Sequence, residues 1–287
     1  MPKIAKGPST TGRSPNCGSS KMSFVPVIPS PGIAGWRFLQ RTYDRQFEAF
    51  SSSNTLKRET DHFEKAIRDI SSAEELVSDH RLLKVALGAF GLQDDLGNRF
   101  FIKKILEDGT ADPEALANKM PDPRYKKLSS AFGFGPGQVA KTNEPSAMQS
   151  VISAYKEQSF EVSIGAVDEA IRISLFAERE LTELAARNVT EDARWYSMLG
   201  LPPLREMFET AVGLPKGVGR LGIDKQKTIF SDKVSAALKI DSLKSFESQD
   251  TRLKLTNLYL ARTQIQASNN SASSFSTALF LLSAGSR

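Results

Sequence analysis

The chain has 287 residues, of which 40% are hydrophobic and 25% charged, and its formal net charge is +5. Four basic residues and no acidic residue lie within residues 1–21, which leaves 34 basic and 33 acidic residues in the remainder. We expect no nucleic-acid partner, because phosphate binding requires Lys and Arg gathered without intervening acids. No apolar run approaches the roughly 18 residues of a transmembrane helix, so no membrane span is expected.

Residues 1–35 are rich in Ser, Pro, Gly and Lys and have no helical periodicity, which predicts a disordered leader. The leader lacks the apolar core of a secretory signal, so we expect no cleavable signal peptide. The segment that begins at Met22 would be a natural opening for the protein. Met22 is therefore a candidate for the true start.

Residues 36–135 are predicted to form a first helical domain or repeat. Large apolar residues recur there at intervals of three and four, which indicates amphipathic helices. Helix ends are marked by residues that commonly cap helices. The expected first caps are Ser72 with Glu75, Asp79, Asp94 or Asp95, Asp112 and Asp122, and the expected terminal glycines are Gly91 and Gly109.

A linker rich in Gly and Pro, residues 133–145, separates this part from a second helical domain or repeat at residues 145–266. Gly165 is expected to divide its first long helical stretch into two helices. Later helices are expected to begin near Thr190, Pro202, Asp224 and Ser248. Residues 267–287 are predicted to be a polar tail that ends in a short apolar helix.

Strand signals are nearly absent, so the predicted fold class is all-α and multihelical. The segment HRLLKVALGAFGL (80–92) resembles PPLREMFETAVGL (202–214) in the positions of its leucines and in its Gly-Leu end. Two degenerate helical repeats would explain this similarity. Chance similarity between two amphipathic helices is the alternative.

The residue types that most metal and covalent catalytic sites require are scarce. The chain has one cysteine, Cys17, and two histidines, His62 and His80. Paired carboxylates such as Glu178 and Glu180, and alternating charges such as Arg179–Glu180, are interpreted as solvated helix faces. We expect no metal site, no cofactor and no enzymatic activity.

Two glycine-rich segments resemble phosphate-binding loops. The segment from Gly217 to Gly222 matches the dinucleotide fingerprint, which functions only between a strand and a helix. Residues 131–137 lack the Lys-Ser or Lys-Thr pair of a P-loop. Both are interpreted as connections between helices.

Two groups of apolar residues are candidate interfaces with a partner. Trp36, Tyr43 and Phe47 form one face of the first predicted helix, and burial in the protein's own core is the alternative. Phe275, Leu279 and Leu282 follow the polar tail, and they could dock on their own domain or on a partner.

The chain resembles a bacterial family of helical proteins known as domain of unknown function 1217. The resemblance is carried by SDHRLLKVALGAFGL (78–92), NRFFIKKILEDG (98–109), DPEALANK (112–119), DPRY (122–125) and AFGF (131–134). The opening from Met22 to Trp36 also resembles the start of family members. The family is often encoded within flagellar gene clusters, so the resemblance implies a bacterial protein with flagellar partners.

We therefore predict a non-enzymatic helical interaction protein of the flagellum, either a structural component or an assembly factor, that is cytoplasmic or exported. The first alternative is a cytoplasmic export chaperone or adaptor that binds its substrate in a groove between the two repeats. The second alternative is a small-molecule-binding protein or enzyme. Its candidate site residues are Arg81, Asp122, Arg124 and Tyr125.

Overall fold

The computed structural model describes residues 24–284, and it describes side chains for residues 24–269 except Lys216. The described backbone contains no β-strand, which confirms the all-α prediction. Its α-helices are α1 (Gly32–Ser51), α2 (Asn54–Ala66), α3 (Ala73–Ser78), α4 (His80–Ala89), α5 (Arg99–Asp108), α6 (Leu116–Lys119), α7 (Pro123–Phe132), α8 (Pro145–Gly165), α9 (Glu169–Ala186), α10 (Glu191–Leu199), α11 (Pro202–Val212), α12 (Ile223–Leu238) and α13 (Gln249–Ala284). Short 3-10 segments span Ile67–Asp69, Gln93–Gly97, Lys216–Arg220 and Leu243–Glu247.

Two clusters of buried apolar side chains form the interior. The first core is built by helices α2 to α5, by α7 and by the N-terminal half of α8. The second core is built by α1, by the C-terminal half of α8 and by helices α9 to α13. Met148 and Tyr155 of α8 lie in the first core, whereas Phe160 and Ile164 lie in the second. One continuous helix is therefore part of both cores.

Most of the predicted helix ends are confirmed. Ser72 and Glu75 form a complete capping box at the start of α3. The side chains of Asp79, Asp122 and Thr190 each accept a hydrogen bond from a backbone N–H in the first turn of the helix that follows. These signals are reliable because a cap satisfies helix groups within its own few residues, whatever the tertiary structure.

Two predicted starts are wrong. Neither Asp94 nor Asp95 opens α5, because the chain first forms the 3-10 segment at Gln93–Gly97 and α5 begins only after Asn98. Asp112 accepts a hydrogen bond from the N–H of Glu114, but it closes a turn, and α6 begins at Leu116. An aspartate that binds the N–H two residues ahead stabilises a turn as readily as a helix.

Five helices of each half follow the same order, whereas α6 and α7 of the first half have no counterpart in the second. Helices α2, α3, α4 and α5 correspond to α9, α10, α11 and α12, and α8 and α13 close the two halves. Helix α3 packs on α5 as α10 packs on α12. Helix α4 packs on α8 as α11 packs on α13. The two-repeat interpretation stays a prediction, and this partial correspondence is what it leads one to expect.

The helix ends at Gly91 and Gly213 show the repeat in detail. Both glycines have positive φ angles, 69° and 71°. The N–H of Leu92 donates to Leu87 O at 2.9 Å, and the N–H of Leu214 donates to Glu209 O at 2.8 Å. Both ends are therefore Schellman motifs closed by a leucine, which explains the shared Gly-Leu pattern.

Part of the segment predicted to be disordered packs on the fold. Phe24 lies edge-on against Phe50, at 5.6 Å between ring centroids, and also contacts Phe160. The Gln46 side chain accepts from the N–H of Val27 and donates to its carbonyl oxygen. The prediction was wrong for residues 24–35, because the few apolar residues between the prolines are enough to anchor the chain on α1. Residues 1–23 lie outside the described residues.

The last helix is longer than the sequence predicted. The backbone of α13 continues past Ile265 to Ala284, with no break at the polar stretch after Ala267. Residues 264–269 are exposed, so the Ser and Asn residues there face solvent on a helix that the core does not constrain. None of the described helices combines the length and apolarity that crossing a membrane requires.

Candidate functional site

A cleft of about 660 Å³ opens between α1, α8, α9 and the start of α13. We call it the α1 cleft. Its apolar walls are Trp36, Tyr43, Leu175 and Leu253, and its charged lining is Asp44, Glu157, Glu161, Glu178 and Arg179. The cleft lies where α8, the closing helix of the first half, meets α9, the first helix of the second half.

Glu161 is the most deeply buried charged residue of the α1 cleft. It is only 5% exposed, and its Oε1 accepts a hydrogen bond from Nη1 of Arg179. Burial raises the pKa of Glu161 to about 7, because the low-dielectric surroundings disfavour the charged form more than the Arg179 guanidinium favours it. The carboxyl group therefore titrates near neutral pH.

Arg179 connects the cleft to a series of ion pairs that reaches the first half. Its Nε lies 3.3 Å from Oε1 of Glu180, whose Oε2 is 3.2 Å from Nζ of Lys127 on α7. Lys127 also binds Glu183 at 2.6 Å. Because Arg179 is held from two sides, its position at the cleft wall is fixed.

Glu178 forms a second ion pair at the cleft. Its Oε1 accepts a hydrogen bond from Nε of Arg252 at 2.7 Å. The Nη1 of Arg252 also donates to the carbonyl oxygens of Phe246 and Glu247. Arg252 therefore orients Glu178 from the start of α13 and the turn before it.

Four polar atoms at the α1 cleft have no hydrogen-bond partner among the described residues. They are Nε1 of Trp36, Oε2 of Glu161, Oε2 of Glu178 and Nη2 of Arg179, and all four are buried. A buried polar group without a partner costs about 1–3 kcal/mol. Two acceptors and two donors thus belong to side chains that line one cleft, and a polar ligand that reached them would satisfy them.

The predicted stripe on the first helix packs inwards. Trp36 is 2% exposed and belongs to the second core. Tyr43 and Phe47 stack on each other, and each lies edge-on against Phe160 at 5.3 and 5.6 Å. Phe47 is thus part of an internal aromatic cluster, whereas Trp36 and Tyr43 line the cleft as well.

Tyr43 lies in a negative environment. Burial, reinforced by the charges of Glu161 and Glu157, raises the pKa of its hydroxyl group to about 12. The hydroxyl group therefore stays protonated at neutral pH and can act as a hydrogen-bond donor.

The other predicted interface group lies on α13. Phe275, Leu279 and Leu282 belong to the helical backbone up to Ala284, but their side chains lie outside the described residues. Their role remains a prediction.

Three of the four predicted small-molecule residues meet, in a structural role. Arg124 binds the carboxylate of Asp122 and donates to Gly91 O at 2.5 Å. The Tyr125 hydroxyl donates to Asp95 at 2.7 Å. Arg81 is elsewhere, with its Nη2 at 3.4 Å from Arg58 O. The bonds of Arg124 and Tyr125 hold the start of α7 against Gly91, just after α4, and against the 3-10 segment at Gln93–Gly97.

The sequence did not single out the α1 cleft. Arg179 and Glu180 were interpreted as a solvated helix face, which was wrong, because Glu180 is 7% exposed and Arg179 is paired on two sides. One signal was available in Glu161, a carboxylate between Phe160 and Val162 on a helix with large apolar residues. A charge in such a position is costly to bury and therefore indicates a specific partner.

The two glycine-rich segments connect helices, as the sequence analysis interpreted them. Gly217 and Gly219 lie in the 3-10 segment between α11 and α12, with no strand before it in the described backbone. Gly133 ends α7 in the left-handed conformation. Within the described residues, no group of three or more His, Cys, Asp and Glu side chains is arranged to hold a metal ion.

The sequence and the fold were compared with known proteins. No curated protein matches the sequence. The crystal structure of protein AGR_C_984 from Agrobacterium tumefaciens is similar, with 25% sequence identity and a TM-score of 0.67 over 80% of this chain and 92% of that chain. The sequence model of the family described as protein of unknown function DUF1217 matches residues 89–251, more than half of the chain. The chain therefore belongs to the DUF1217 family.

Proposed function

We propose that the chain is a non-enzymatic helical interaction protein of the bacterial flagellar apparatus that receives a segment of a partner protein in the α1 cleft. The observation that carries the proposal is that four side chains lining one cleft with apolar walls each have a buried polar atom without a partner. Polar groups that are preorganised in an apolar cavity are typical of binding sites. The flagellar connection rests on the gene clusters in which the family is often encoded.

Two roles in the flagellum are consistent with such a cleft. A structural component or assembly factor would hold its partner in the finished assembly, whereas an export chaperone or adaptor would hold it in the cytoplasm. The cleft is lined by α1, the C-terminal half of α8, α9 and the start of α13, which all belong to the second core, so its position alone does not distinguish the two roles.

Localisation distinguishes these roles. An epitope tag fits in the loop between α7 and α8 at Pro136–Gly137, where both residues are exposed and a Cβ on Gly137 would have no neighbour within 4 Å. Cells, culture supernatant and purified basal bodies would be blotted with and without a working flagellar export gate. Export-dependent signal outside the cell or in basal bodies is expected for a structural part, and signal confined to the cytoplasm is expected for a chaperone.

Site-specific crosslinking tests whether the cleft binds a partner. A photoreactive amino acid at Gln40, an exposed residue of the cleft, should crosslink a flagellar protein in growing cells. The same amino acid at Lys65, an exposed position on α2, is the matched control. Equal crosslinking from both positions, or none from Gln40, would contradict binding in the cleft.

A further inference from the structure

The charges that line the α1 cleft select among possible partner segments. Four carboxylates line it, of which Glu161 is paired with Arg179 and Glu178 with Arg252. Asp44 and Glu157 are exposed at the rim and have no ion-pair partner within residues 24–269. The cleft therefore has excess negative charge.

The unpartnered atoms indicate what a ligand must bring. Oε2 of Glu178 is an acceptor, as is Oε2 of Glu161 once its carboxyl group is ionised, above its pKa of about 7, so both require donors, preferably charged ones. Nε1 of Trp36 and Nη2 of Arg179 are donors and require acceptors such as backbone carbonyl oxygens. A peptide with a basic side chain supplies both, whereas an acidic ligand would approach four carboxylates.

The apolar walls suit the rest of a basic side chain. Trp36 and Tyr43 form one side of the cleft and Leu175 and Leu253 contribute to the others. The methylene stem of Lys or Arg packs well on such surfaces, and the cation is attracted to aromatic faces. The walls and the carboxylates thus match the two ends of one side chain.

We infer that the segment received by the α1 cleft presents a lysine or arginine side chain, with its stem along Trp36 and Tyr43 and its charge at Glu161. This inference rests on the proposed binding function and adds the chemistry of the partner. The carboxylates at the rim, Asp44 and Glu157, attract the basic segment before it enters.

The test begins with the full chain and a phage library of random peptides of about 12 residues. Peptides would be selected on the wild-type chain after removal of those that bind the double variant Trp36→Ala/Glu161→Gln. The selected peptides are expected to be enriched in Lys or Arg next to apolar residues. Selected peptides without basic residues would overturn the inference while leaving the binding function intact, and no cleft-dependent peptides would overturn both.

Affinities of one selected peptide provide the second measurement. Binding would be followed by the fluorescence of Trp36 in a Trp195→Phe background, since these are the two tryptophans of the chain. Replacement of the basic residue of the peptide by norleucine should weaken binding about tenfold, because the carboxylate would lose its charged donor. Equal affinity of the two peptides would contradict the inference.

Protein variants complete the experiment. Glu161→Gln should weaken binding of the basic peptide but not of its norleucine analogue. The double variant Asp44→Asn/Glu157→Gln changes two exposed positions without ion pairs. It should lower the affinity for the basic peptide several-fold at low salt without affecting the fold. Glu64→Gln, an exposed carboxylate on α2, is the matched control and should have no effect. If Glu161→Gln also abolished binding of the norleucine analogue, the effect of the substitution would be structural. That result would contradict a direct role for Glu161.

Discussion

The carboxyl group of Glu161 holds its proton to a higher pH in the folded chain than in the unfolded chain. Burial raises its pKa from an ordinary 4.5 to about 7. Between these values the folded state retains a proton that the unfolded state has released. The stabilisation from this group is therefore complete below the unfolded pKa and is lost as the pH rises through the folded pKa.

Replacement by glutamine should remove this dependence. Between pH 5 and pH 8 the free energy of unfolding should fall less in Glu161→Gln than in the wild type. The two slopes should differ by up to roughly 1.4 kcal/mol per pH unit. Urea unfolding at several pH values measures the difference. Glu64→Gln should follow the wild type, and parallel curves for all three proteins would contradict the shifted pKa.

The site could not be predicted from the sequence at this scale, for a physical reason. Glu161, Glu178 and Trp36 come from three helices, and among the three carboxyl and indole groups only Glu161, between apolar neighbours, has a local signal of a specific partner. Their chemistry arises from burial and from Arg179, which are tertiary facts. By contrast, the cap at Ser72 was predicted correctly because its partner is three residues away.

At the scale of elements, α4 and α8 approach each other closely at Gly88. A Cβ on Gly88 would lie 2.6 Å from Cε2 of Tyr155, which is nearly buried. The Tyr155 hydroxyl donates to Glu59 at 2.6 Å, so the ring cannot easily move aside. The glycine is required here by packing between helices.

Gly88→Ala should therefore destabilise the chain by about 1–3 kcal/mol, because overpacking would push α4 away from α8. Gly97→Ala is the matched control, since a Cβ there would have no neighbour within 4 Å. Chemical denaturation of both variants gives the comparison. A Gly88→Ala variant as stable as Gly97→Ala would show that the helices can separate without cost.

Two of the boundaries that the sequence missed share one cause. The chain around Asp95 forms a 3-10 turn, so that its carboxylate accepts hydrogen bonds from Asn98 and Tyr125. The partner Tyr125 is 30 residues away, and its contribution is invisible in a local pattern. Similarly, Phe24 was assigned to the leader because its partners on α1 and α8 are distant in sequence.

At the scale of the whole molecule, the two cores should unfold together, because α8 passes through both. Trp36 and Trp195 lie in the second core and report on it alone. Leu83 is fully buried in the first core. A change at Leu83 should nevertheless be visible in the tryptophan fluorescence.

Leu83→Ala should destabilise the chain by about 2–5 kcal/mol and lower the unfolding midpoint measured by tryptophan fluorescence and by far-UV circular dichroism equally. Phe100→Ala is the control, since Phe100 is 89% exposed and its loss should change neither midpoint. An unchanged fluorescence midpoint in Leu83→Ala, with an earlier transition in circular dichroism, would show that the cores unfold independently.

The membership of α8 in both cores also limits how the chain can be divided or recombined. A cut in the loop before α8 removes Met148 and Tyr155 from the first half, and a cut after Gly165 removes Phe160 from the second. Each fragment would expose apolar surface that only the other fragment covers. The two repeats therefore are not interchangeable modules, and a chimaera that exchanges one half between relatives should fold only when α8 matches the helices on both of its sides.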